Sequence, residues 1–439
     1  DLVDLECDHW TYGAPYAPYD IYKDENNDGK PDAATDGHTF YGNVFGGGSG
    51  YFPYAEGPAL TQEQINLGYS KGVWHRPAGS VGGNTRVDIT GGHILTSVYG
   101  GNEQTDVAGS CTINMTGGTV GVPRTVAQMQ AHPVTCYVFG AGKGDQRINF
   151  NTWTNVASTQ VNISGEARIY GSTFGGGEDG HVLGDAETNI GGSVTTGIGD
   201  NAATTGHTNV IIGTTGTSSV DGNIFGGGRG FSETALTAGV VGGDVSVNIH
   251  NGKILGSVFG GGRLASVGTY FANAESDNYG KMQDDSDTES HGHINITIDG
   301  GTIGATDSDG KLATSTSSIG DVFGGSKGTN NDLRFGLAKT TTITMSGGKV
   351  KGSVYGGGEV AMVEEDATIA ISGGEVGDGV TAKGGAKIGN VYGGGKGNTT
   401  AVDAGLIKGN TTVTINPGSN GEPKRSRSEE RRVGKECRS

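Results

Sequence analysis

The sequence predicts an all-β protein, a parallel β-helix (β-solenoid) of about nine irregular coils with surface loop inserts. Three observations support this prediction. Glycine accounts for 86 of 439 residues, a glycine-rich motif recurs nine times, and a strand-like motif alternates with it. The glycine content is far above the usual ~7%. Because there is no Gly-X-Y period and there are only 10 prolines, collagen is excluded.

The first motif reads glycine, small polar, valine or isoleucine, aromatic, glycine, then glycine or alanine. Its nine copies begin at Asn43, Ser97, Tyr137, Ser172, Asn223, Ser257, Asp321, Ser353 and Asn390. Glycine is expected where the chain turns with φ > 0 or where backbones approach closely. A phosphate-binding loop would occur once or twice, so nine copies indicate architecture.

The second motif, as in "ITMSGG" from Ile343, has the period of a β-strand. Apolar Ile343 and Met345 fall on one face and the residues between them are polar, which predicts a short half-buried strand ended by a Gly-Gly turn. The shortest repeat runs 26 residues, from Gly91 to Gly117. Three short strands in such a repeat predict a stacked coil. A propeller blade needs four antiparallel strands over ~40 residues, so that alternative is disfavoured.

The motifs divide the chain into three regions. Residues 1–40 are an N-terminal segment, 41–416 are the β-solenoid, and 417–439 are a disordered tail. The inserts at 51–84, 121–135, 145–158, 263–293 and 304–318 are polar or irregular, and we expect surface loops there.

The last 13 residues, 427–439 ("RSEERRVGKECRS"), resemble a translated sequencing adapter. We interpret them as a cloning artefact, in which case the natural protein continues past about residue 426. Leaving out their five basic and three acidic residues changes the formal net charge from −17 to −19. So acidic a chain repels nucleic acid and anionic lipid, and no nucleic-acid partner is expected. No apolar run approaches the ~20 residues of a membrane span, so direct membrane insertion is not expected.

The stretch "DENNDGKPD" at 24–32 has the spacing of an EF-hand-type calcium loop. The candidate metal ligands at loop positions 1, 3, 5 and 9 are Asp24, Asn26, Asp28 and Asp32. Gly29 occupies the sharp-turn position. The stretch resembles the Asp-rich loops of dockerin and thrombospondin-type modules, but Thr35 stands where an EF-hand has glutamate. We therefore expect a weak structural Ca²⁺ site, with an ordinary Asn/Asp/Gly turn as the alternative.

No catalytic residue is predicted. "VFGAGKGD" at 138–145 lacks the glycine and the Ser/Thr of a phosphate-binding loop, so we expect one more coil corner there. "GGGEDGHV" at 175–182 offers Glu178, Asp179 and His181, which we interpret as surface polar residues. "HGH" at 291–293 and Asp284-Asp285 lie within one predicted loop, whereas pectin-cleaving β-helix enzymes carry such groups on stacked strands.

Two features leave alternatives open. Cys111 and Cys136 lie nearly one coil apart with inward parity, so they form either a disulfide or two buried thiols. The Gly-Gly corner either swings the motif aromatics inward to form a buried stack, or the rings form an exposed outer ladder; we favour the inward or corner stack. The motif aromatics are Phe45, Tyr99, Phe139, Phe174, Phe225, Phe259, Phe323, Tyr355 and Tyr392.

The phrases "ITGG" from Ile89 and "GNVYGGG" from Gly389 resemble the repeats of large secreted, adhesin-like glycine-rich surface proteins of gut bacteria. The resemblance covers residues 40 to about 416. It implies a non-enzymatic structural or adhesin-like protein that is extracellular or on the bacterial cell surface. Glycans, or host and other cell surfaces, would be its partners. The alternative is a polysaccharide lyase or glycoside hydrolase on the same scaffold.

Overall fold

The computed structural model describes residues 3–4, 40–50, 61–66, 77–94, 96–121, 137–144, 154–196, 222–230, 236–268, 291–304, 320–377 and 389–416. These residues form β-strands and turns, apart from the five-residue helix α1 (Gln62–Asn66). The predicted calcium ligands, Cys136 and the tail from residue 417 lie outside the described residues. Within these ranges, no helix is long and apolar enough to cross a membrane.

The strands are short and follow one another in a repeating order. In the first half they are β1 (Val3–Asp4), β2 (Phe40–Tyr41), β3 (Val44–Phe45), β4 (Thr85–Ile94), β5 (Val98–Tyr99), β6 (Cys111–Val120), β7 (Val138–Phe139), β8 (Asn155–Val156), β9 (Thr159–Ile163), β10 (Arg168–Ile169), β11 (Thr173–Phe174), β12 (His181–Val182), β13 (Ala186–Ile190) and β14 (Thr195–Thr196). In the second half they are β15 (Ile224–Phe225), β16 (Val245–Ile249), β17 (Lys253–Ile254), β18 (Val258–Phe259), β19 (His293–Ile298), β20 (Thr302–Ile303), β21 (Val322–Phe323), β22 (Thr340–Met345), β23 (Lys349–Val350), β24 (Val354–Tyr355), β25 (Ala367–Ile371), β26 (Glu375–Val376), β27 (Val391–Tyr392) and β28 (Thr411–Ile415).

Two large parallel sheets run the length of the coils. The aromatic sheet has nine strands in the order β27-β24-β21-β18-β15-β11-β7-β5-β3. The long-strand sheet has 15 strands in the order β26-β23-β20-β17-β14-β10-β6-β9-β13-β16-β19-β22-β25-β28, with β4 beside β6. Each coil contributes one strand to the aromatic sheet and then one long strand to the other sheet, and six of the coils add to that sheet a two-residue strand after the long one. The prediction of a parallel β-helix of about nine coils is confirmed.

The strand register repeats from coil to coil, so equivalent residues of successive coils lie directly above one another. Val258 pairs with Val322, and Phe259 pairs with Phe323 on the next coil. Along β16, Val245, Val247 and Ile249 are buried and the residues between them are only half-buried, as the period of two predicts. These side chains join the valines of the aromatic sheet in one continuous core. Burying each such side chain contributes about 1.5–3 kcal/mol.

The motif glycines allow the coils to approach one another closely. A Cβ added to Gly260 would lie 2.3 Å from the carbonyl oxygen of Gly324 on the next coil and 2.3 Å from the Ile294 side chain. Gly348, in a Gly-Gly turn, has φ +76°, which L-residues with side chains rarely adopt. The predicted corners therefore require glycine for two separate reasons, space and backbone conformation.

The small polar residue that begins most motif copies, Tyr137 of the third copy being the exception, links the coils through its side chain. Asn223 Oδ1 accepts the N–H of Ser257 at 2.8 Å, and Ser257 Oγ accepts the N–H of Asp321 at 3.1 Å. Asp321 Oδ1 in turn accepts the N–H of Ser353 at 2.7 Å. A side-chain oxygen on a short stem is needed for this contact, which explains the Asn, Ser or Asp at this position.

Each coil has a further segment, between the triple glycine and the long strand, for which the sequence predicts loops. Val81 bridges Val107, and Val267 bridges Val241, although residues 81 and 267 fall within the predicted inserts 51–84 and 263–293. Those two insert boundaries are therefore wrong, and so is the end of the insert 145–158, where β8 (Asn155–Val156) pairs with β12 and Val156 is buried in the core. The pairs are mostly single bridges without a strand period, so the sequence gives no periodic signal for them.

Candidate functional site

The nine motif aromatics form one continuous stack along the aromatic sheet. Neighbouring ring centroids lie 4.7 to 5.0 Å apart, and the ring planes differ by at most 19°. This spacing matches the ~4.8 Å between parallel strands. The constant register of the coils therefore sets the stacking distance, and each pair adds about 0.5–1.5 kcal/mol beyond its area burial.

The stack lies on the face of the aromatic sheet opposite the valine core. Its rings form a hydrophobic cluster of their own, separate from the cluster of valines and isoleucines. From Tyr99 to Phe323 the rings are buried, whereas Tyr392 at the last coil is 41% exposed. The predicted burial of the rings is confirmed for these coils. The predicted inward turn is wrong, because the rings stay on the face of the strand opposite the valines and form a separate cluster.

A column of charged residues runs beside the stack, at the position after the triple glycine. Eight of the nine motif copies carry a charge there: Glu103, Lys143, Glu178, Arg229, Arg263, Lys327, Glu359 and Lys396. Isolated backbone β-bridges, formed by main-chain hydrogen bonds, join Arg229 to Arg263, Arg263 to Lys327, and Glu359 to Lys396 on successive coils. We missed this charged column in the sequence, and aligning the nine copies on their glycines would have found it.

Cations of the charged column lie over the aromatic rings. Lys327 Nζ is 5.7 Å from the Phe259 ring centroid, and Lys396 Nζ is 5.9 Å from that of Phe323. Attraction between a cation and the face of a ring is worth about 0.5–2 kcal/mol, depending on how far it is desolvated. The long stems of these side chains also help to shield a stack that lies outside the main core.

The most deeply buried part of the charged column is an ion pair between Glu178 and Arg229. Arg229 Nη1 donates to Glu178 Oε1 at 2.5 Å, and Tyr99 Oη donates to Glu178 Oε2 at 2.6 Å. Glu178 is 2% exposed and Arg229 is 3% exposed. Both carboxylate oxygens therefore have partners. A buried pair of this kind adds little net stability, but removing one partner leaves an uncompensated charge in the interior.

The sequence interpretation of "GGGEDGHV" as a surface corner is wrong. Asp179 and His181 are buried together with Glu178. The backbone N–H groups of Asp179 and Gly180 both donate to the carbonyl of Lys143, on the preceding coil. A corner held between two coils is enclosed by them, so polar residues there are buried even though their local sequence is typical of an exposed turn.

The structure also places the other stretches considered for chemistry. In "VFGAGKGD" the N–H groups of Gly140, Ala141 and Gly144 all donate to carbonyls of adjacent coils, so they are not directed at a phosphate and the corner interpretation is confirmed. His293 of "HGH" contacts Thr340 on the next coil, with Nδ1 2.6 Å from Oγ1. Asp284 and Asp285 lie outside the described residues.

Cys111 is a buried free thiol that points into the core. Burial raises its pKa to about 11, so the reactive thiolate is scarce near neutral pH. Of the two alternatives predicted, the structure gives Cys111 as a buried thiol; Cys136 lies outside the described residues.

A second charged group lies near the last coils. Glu359 is 3.0 Å from Lys327 and 3.4 Å from Lys396, and Lys396 is 3.9 Å from Asp321. Burial raises the pKa of Asp321 to about 6 despite the hydrogen bond from Ser353 and the nearby ammonium. Asp321 occupies a position at which the other motif copies carry a neutral residue, Asn or Ser in seven copies and Tyr137 in one.

The outer face of the long-strand sheet carries a ladder of asparagines. Asn114 donates to Asp88 Oδ1 at 2.8 Å, and each later asparagine donates to the one before it at 2.8–2.9 Å. The later members are Asn162, Asn189 and Asn248. The hydrogen bond from Asn114, followed by that from Arg86, lowers the pKa of Asp88.

The long strands of the last five coils carry uncharged residues at the centre of their outer face, whereas the short strands beside them carry Lys253, Lys349 and Glu375. We call this central strip the polar face. It consists of the outward residues of those long strands apart from His293 and Thr340 at the strand starts: Ser246, Asn248, Asn295, Thr297, Thr342, Thr344, Thr368, Ala370, Thr412 and Thr414. All are half-buried or exposed, and their side chains are short. The polar face is therefore a flat strip of hydroxyl and amide groups along the coils.

Within the described ranges, no group of three or more His, Cys, Asp or Glu is arranged to hold a metal ion. The calcium site at Asp24, Asn26, Asp28 and Asp32 lies outside those ranges and stays a prediction. In comparisons with known proteins, the chain matches no family model, no curated protein and no solved structure.

Proposed function

We propose that this chain is a non-enzymatic, adhesin-like repeat protein, secreted or displayed on a cell surface, whose coils form a scaffold for binding glycans. One observation supports the scaffold role above others. Glu178, the acidic residue most suggestive of chemistry in the sequence, is buried with one oxygen bonded to Arg229 and the other to Tyr99. A carboxylate whose two oxygens bond to residues of two other coils helps to hold the coils together.

The same observation weighs against the alternative of a polysaccharide lyase or glycoside hydrolase. Acid/base cleavage needs carboxyl groups that converge on a bound sugar in a cleft. Glu178 and Asp179 are 2% and 8% exposed, respectively. Assaying the chain for release of reducing ends or unsaturated products from pectin-type polysaccharides tests this alternative directly.

The polar face is our proposed glycan-binding surface. Amide and hydroxyl side chains donate and accept hydrogen bonds as sugar hydroxyls do. The strip is uncharged in a chain whose formal net charge is −17, so it suits neutral glycans better than the acidic remainder would. Because its groups repeat at each coil, a polymer lying along the coils could contact several of them at once.

We further propose that Asp24, Asn26, Asp28 and Asp32 bind Ca²⁺ and stiffen the segment that precedes the first coil. The support for this step is the ligand spacing in the sequence. Extracellular calcium modules are commonly weak and structural, which agrees with a role outside the cell.

A glycan array probed with residues 1–426 tests the glycan proposal, and Thr344→Lys is the informative variant. Thr344 is exposed at the middle of the polar face. We expect the parent to bind a neutral glycan and Thr344→Lys to lose at least tenfold in affinity. Gln160→Lys, which adds the same charge to the same sheet outside the polar face, should bind like the parent. No glycan bound by the parent, or equal affinity in all three proteins, would refute the proposal.

A further inference from the structure

Cations and threonines alternate along the short strands of the long-strand sheet. On five successive coils the first residue of the short strand is, in order, Arg168, Thr195, Lys253, Thr302 and Lys349, and each pairs with the next. We call these five residues the basic stripe. The residue after each of them is buried, so the stripe faces outward. Its two lysines are exposed and the other three residues are half-buried.

The alternation coincides with a second difference between the coils. In the cation coils the next glycine-rich motif begins four residues later: Ser172 follows Arg168, Ser257 follows Lys253, and Ser353 follows Lys349. In the threonine coils an insert intervenes, and the next motif begins only at Asn223 or Asp321. Two kinds of coil therefore alternate here, and the spacing of the cations is a regular feature of the repeat.

The basic stripe is a local exception in an acidic chain. The formal net charge of the chain is −17, whereas the stripe has three cations and no carboxylate. Two carboxylates beside it have cationic partners, because Asp299 lies 2.9 Å from His250 Nδ1 and Glu375 lies 3.0 Å from Lys349 Nζ. An anionic partner is therefore attracted to this strip of a surface that otherwise repels it.

The arginine of the stripe is held in a fixed position. Arg168 Nη1 donates to the carbonyl oxygen of Thr195 at 3.0 Å, and the guanidinium carbon lies 4.4 Å from the centroid of the Tyr170 ring. A side chain that is already ordered loses less conformational entropy when a ligand binds. The stripe is thus partly preorganised at this end.

The spacing of the cations indicates a polymer as the ligand. Neighbouring strands lie ~4.8 Å apart, so cations on every second coil are ~9.6 Å apart. An ion pair needs its nitrogen and oxygen within ~4 Å. One small anion therefore cannot pair with two of these cations while both keep the spacing of the strands, whereas a polymer with repeated charges can.

We propose that the basic stripe binds an acidic polysaccharide in which charged and neutral sugars alternate, lying along the coils. Each charged sugar pairs with a cation of the stripe. Each neutral sugar lies at Thr195 or Thr302, whose hydroxyl groups donate and accept hydrogen bonds as sugar hydroxyls do. This surface is separate from the polar face, and the inference does not rest on the binding of neutral glycans there.

Other polyanions fit the stripe less well. A nucleic-acid strand carries one charge per ~3.4 Å, so most of its phosphates would lie between the cations, and the acidic remainder of the chain would repel them. A polysaccharide with a carboxylate on every sugar would place half of its charges at Thr195 and Thr302. Alternating charge is the pattern that matches the stripe.

Hyaluronan, in which a carboxylate sugar alternates with a neutral one, is the probe for the first test. We expect the full chain to bind it at low ionic strength in biolayer interferometry, and the affinity to fall as salt is added. Lys253→Gln, at the centre of the stripe, should weaken binding about fivefold, the loss expected of one exposed ion pair. Lys253→Arg should bind like the parent.

The matched control is Lys408→Gln, which removes the same charge from an exposed lysine outside the stripe and should also bind like the parent. No binding of hyaluronan at low salt, or equal losses in Lys253→Gln and Lys408→Gln, would overturn the proposal. A DNA duplex bound as tightly as hyaluronan would overturn it as well, because the stripe would then select charge and not its spacing.

The alternation itself is tested by Thr302→Lys, which places cations on three successive coils. This variant should gain more affinity for polygalacturonate, which has a carboxylate on every sugar, than for hyaluronan. Thr344→Lys adds the same charge on the polar face and should leave the ratio of the two affinities unchanged. Equal gains for both polymers in Thr302→Lys would contradict the match of spacing. Failure of neutral glycans to bind the parent would count against the polar face and leave these results standing.

Discussion

Phe259 stacks on Phe323 of the next coil, with ring centroids 4.8 Å apart and planes only 8° apart. The pair is one step in a stack that runs the length of the aromatic sheet, outside the valine core. A row of large apolar rings on the outer side of a sheet would normally promote aggregation. Here the rings from Tyr99 to Phe323 are buried, and cations of the charged column lie over two of them, Phe259 and Phe323.

Removing one ring from the middle of the stack should destabilise the coils strongly. We expect Phe259→Ala to lower the free energy of unfolding by about 3–5 kcal/mol, as truncation of a buried phenylalanine does. Denaturant unfolding followed by circular dichroism measures it. Tyr392→Ala, at the 41% exposed end of the stack, should cost less than half as much. Similar losses for both would show that the stack is not a buried element.

Glu178 and Arg229 should behave as one unit. Glu178→Gln and Arg229→Met should each lower the free energy of unfolding by about 3–5 kcal/mol, because each removes the charged partner of the other buried side chain. Combining them removes both charges, so the double variant should lose less than the sum of the single losses. A double-mutant cycle measures the difference. Additive losses would mean that the two side chains do not interact in solution.

Asp321 should make stability depend on pH. Its folded pKa, raised to about 6 from 3.8, means that the folded state holds this proton more tightly than the unfolded chain. Its contribution to stability is therefore fully present below about pH 3.8 and is lost as the pH rises through about 6. Asp321→Asn keeps an acceptor for the Ser353 N–H and removes the loss of stability at high pH, because the amide does not titrate.

We thus expect Asp321→Asn to be more stable than the parent by about 1–3 kcal/mol at pH 8 and nearly equal to it at pH 4. Denaturant unfolding at the two pH values measures the difference. The matched variant Asn223→Asp, at the same motif position, should lose stability at pH 8 and not at pH 4. A pH-independent effect of Asp321→Asn would rule out the titration of this carboxyl as the cause.

Calcium should bind the N-terminal segment without changing the coils. The ligands at Asp24, Asn26, Asp28 and Asp32 lack the glutamate at position 12, so we expect a dissociation constant of roughly 10⁻⁴ to 10⁻³ M, as in extracellular modules. Titration calorimetry of the parent and of Asp28→Ala checks this. Identical heats in the two proteins would remove the calcium assignment.

The repeat architecture was predictable because its signals are local. The period of two in "ITMSGG" and the corner glycines lie within a few residues of one another, and each recurs in coil after coil. The charged column also repeats, at one position after the glycines, and was missed only because the copies were not compared at that position.

The burial of Glu178 was not predictable in the same way. Its partners Arg229 and Tyr99 lie 51 and 79 residues away along the chain. Only the stacking of four coils brings them together. A turn-like sequence with two acidic residues and a histidine predicts exposure, and the neighbouring coils reverse that outcome.

The central claim is that the buried polar groups of these coils, such as Glu178, hold the coils together, and that glycans bind on the polar face. Glu178→Gln, compared with the parent at a temperature where circular dichroism shows both folded, tests it most directly. The measurement is glycan affinity together with polysaccharide turnover. We predict unchanged affinity and no turnover by either protein. A parent that cleaves a polysaccharide, and a folded Glu178→Gln variant that does not, would contradict the account.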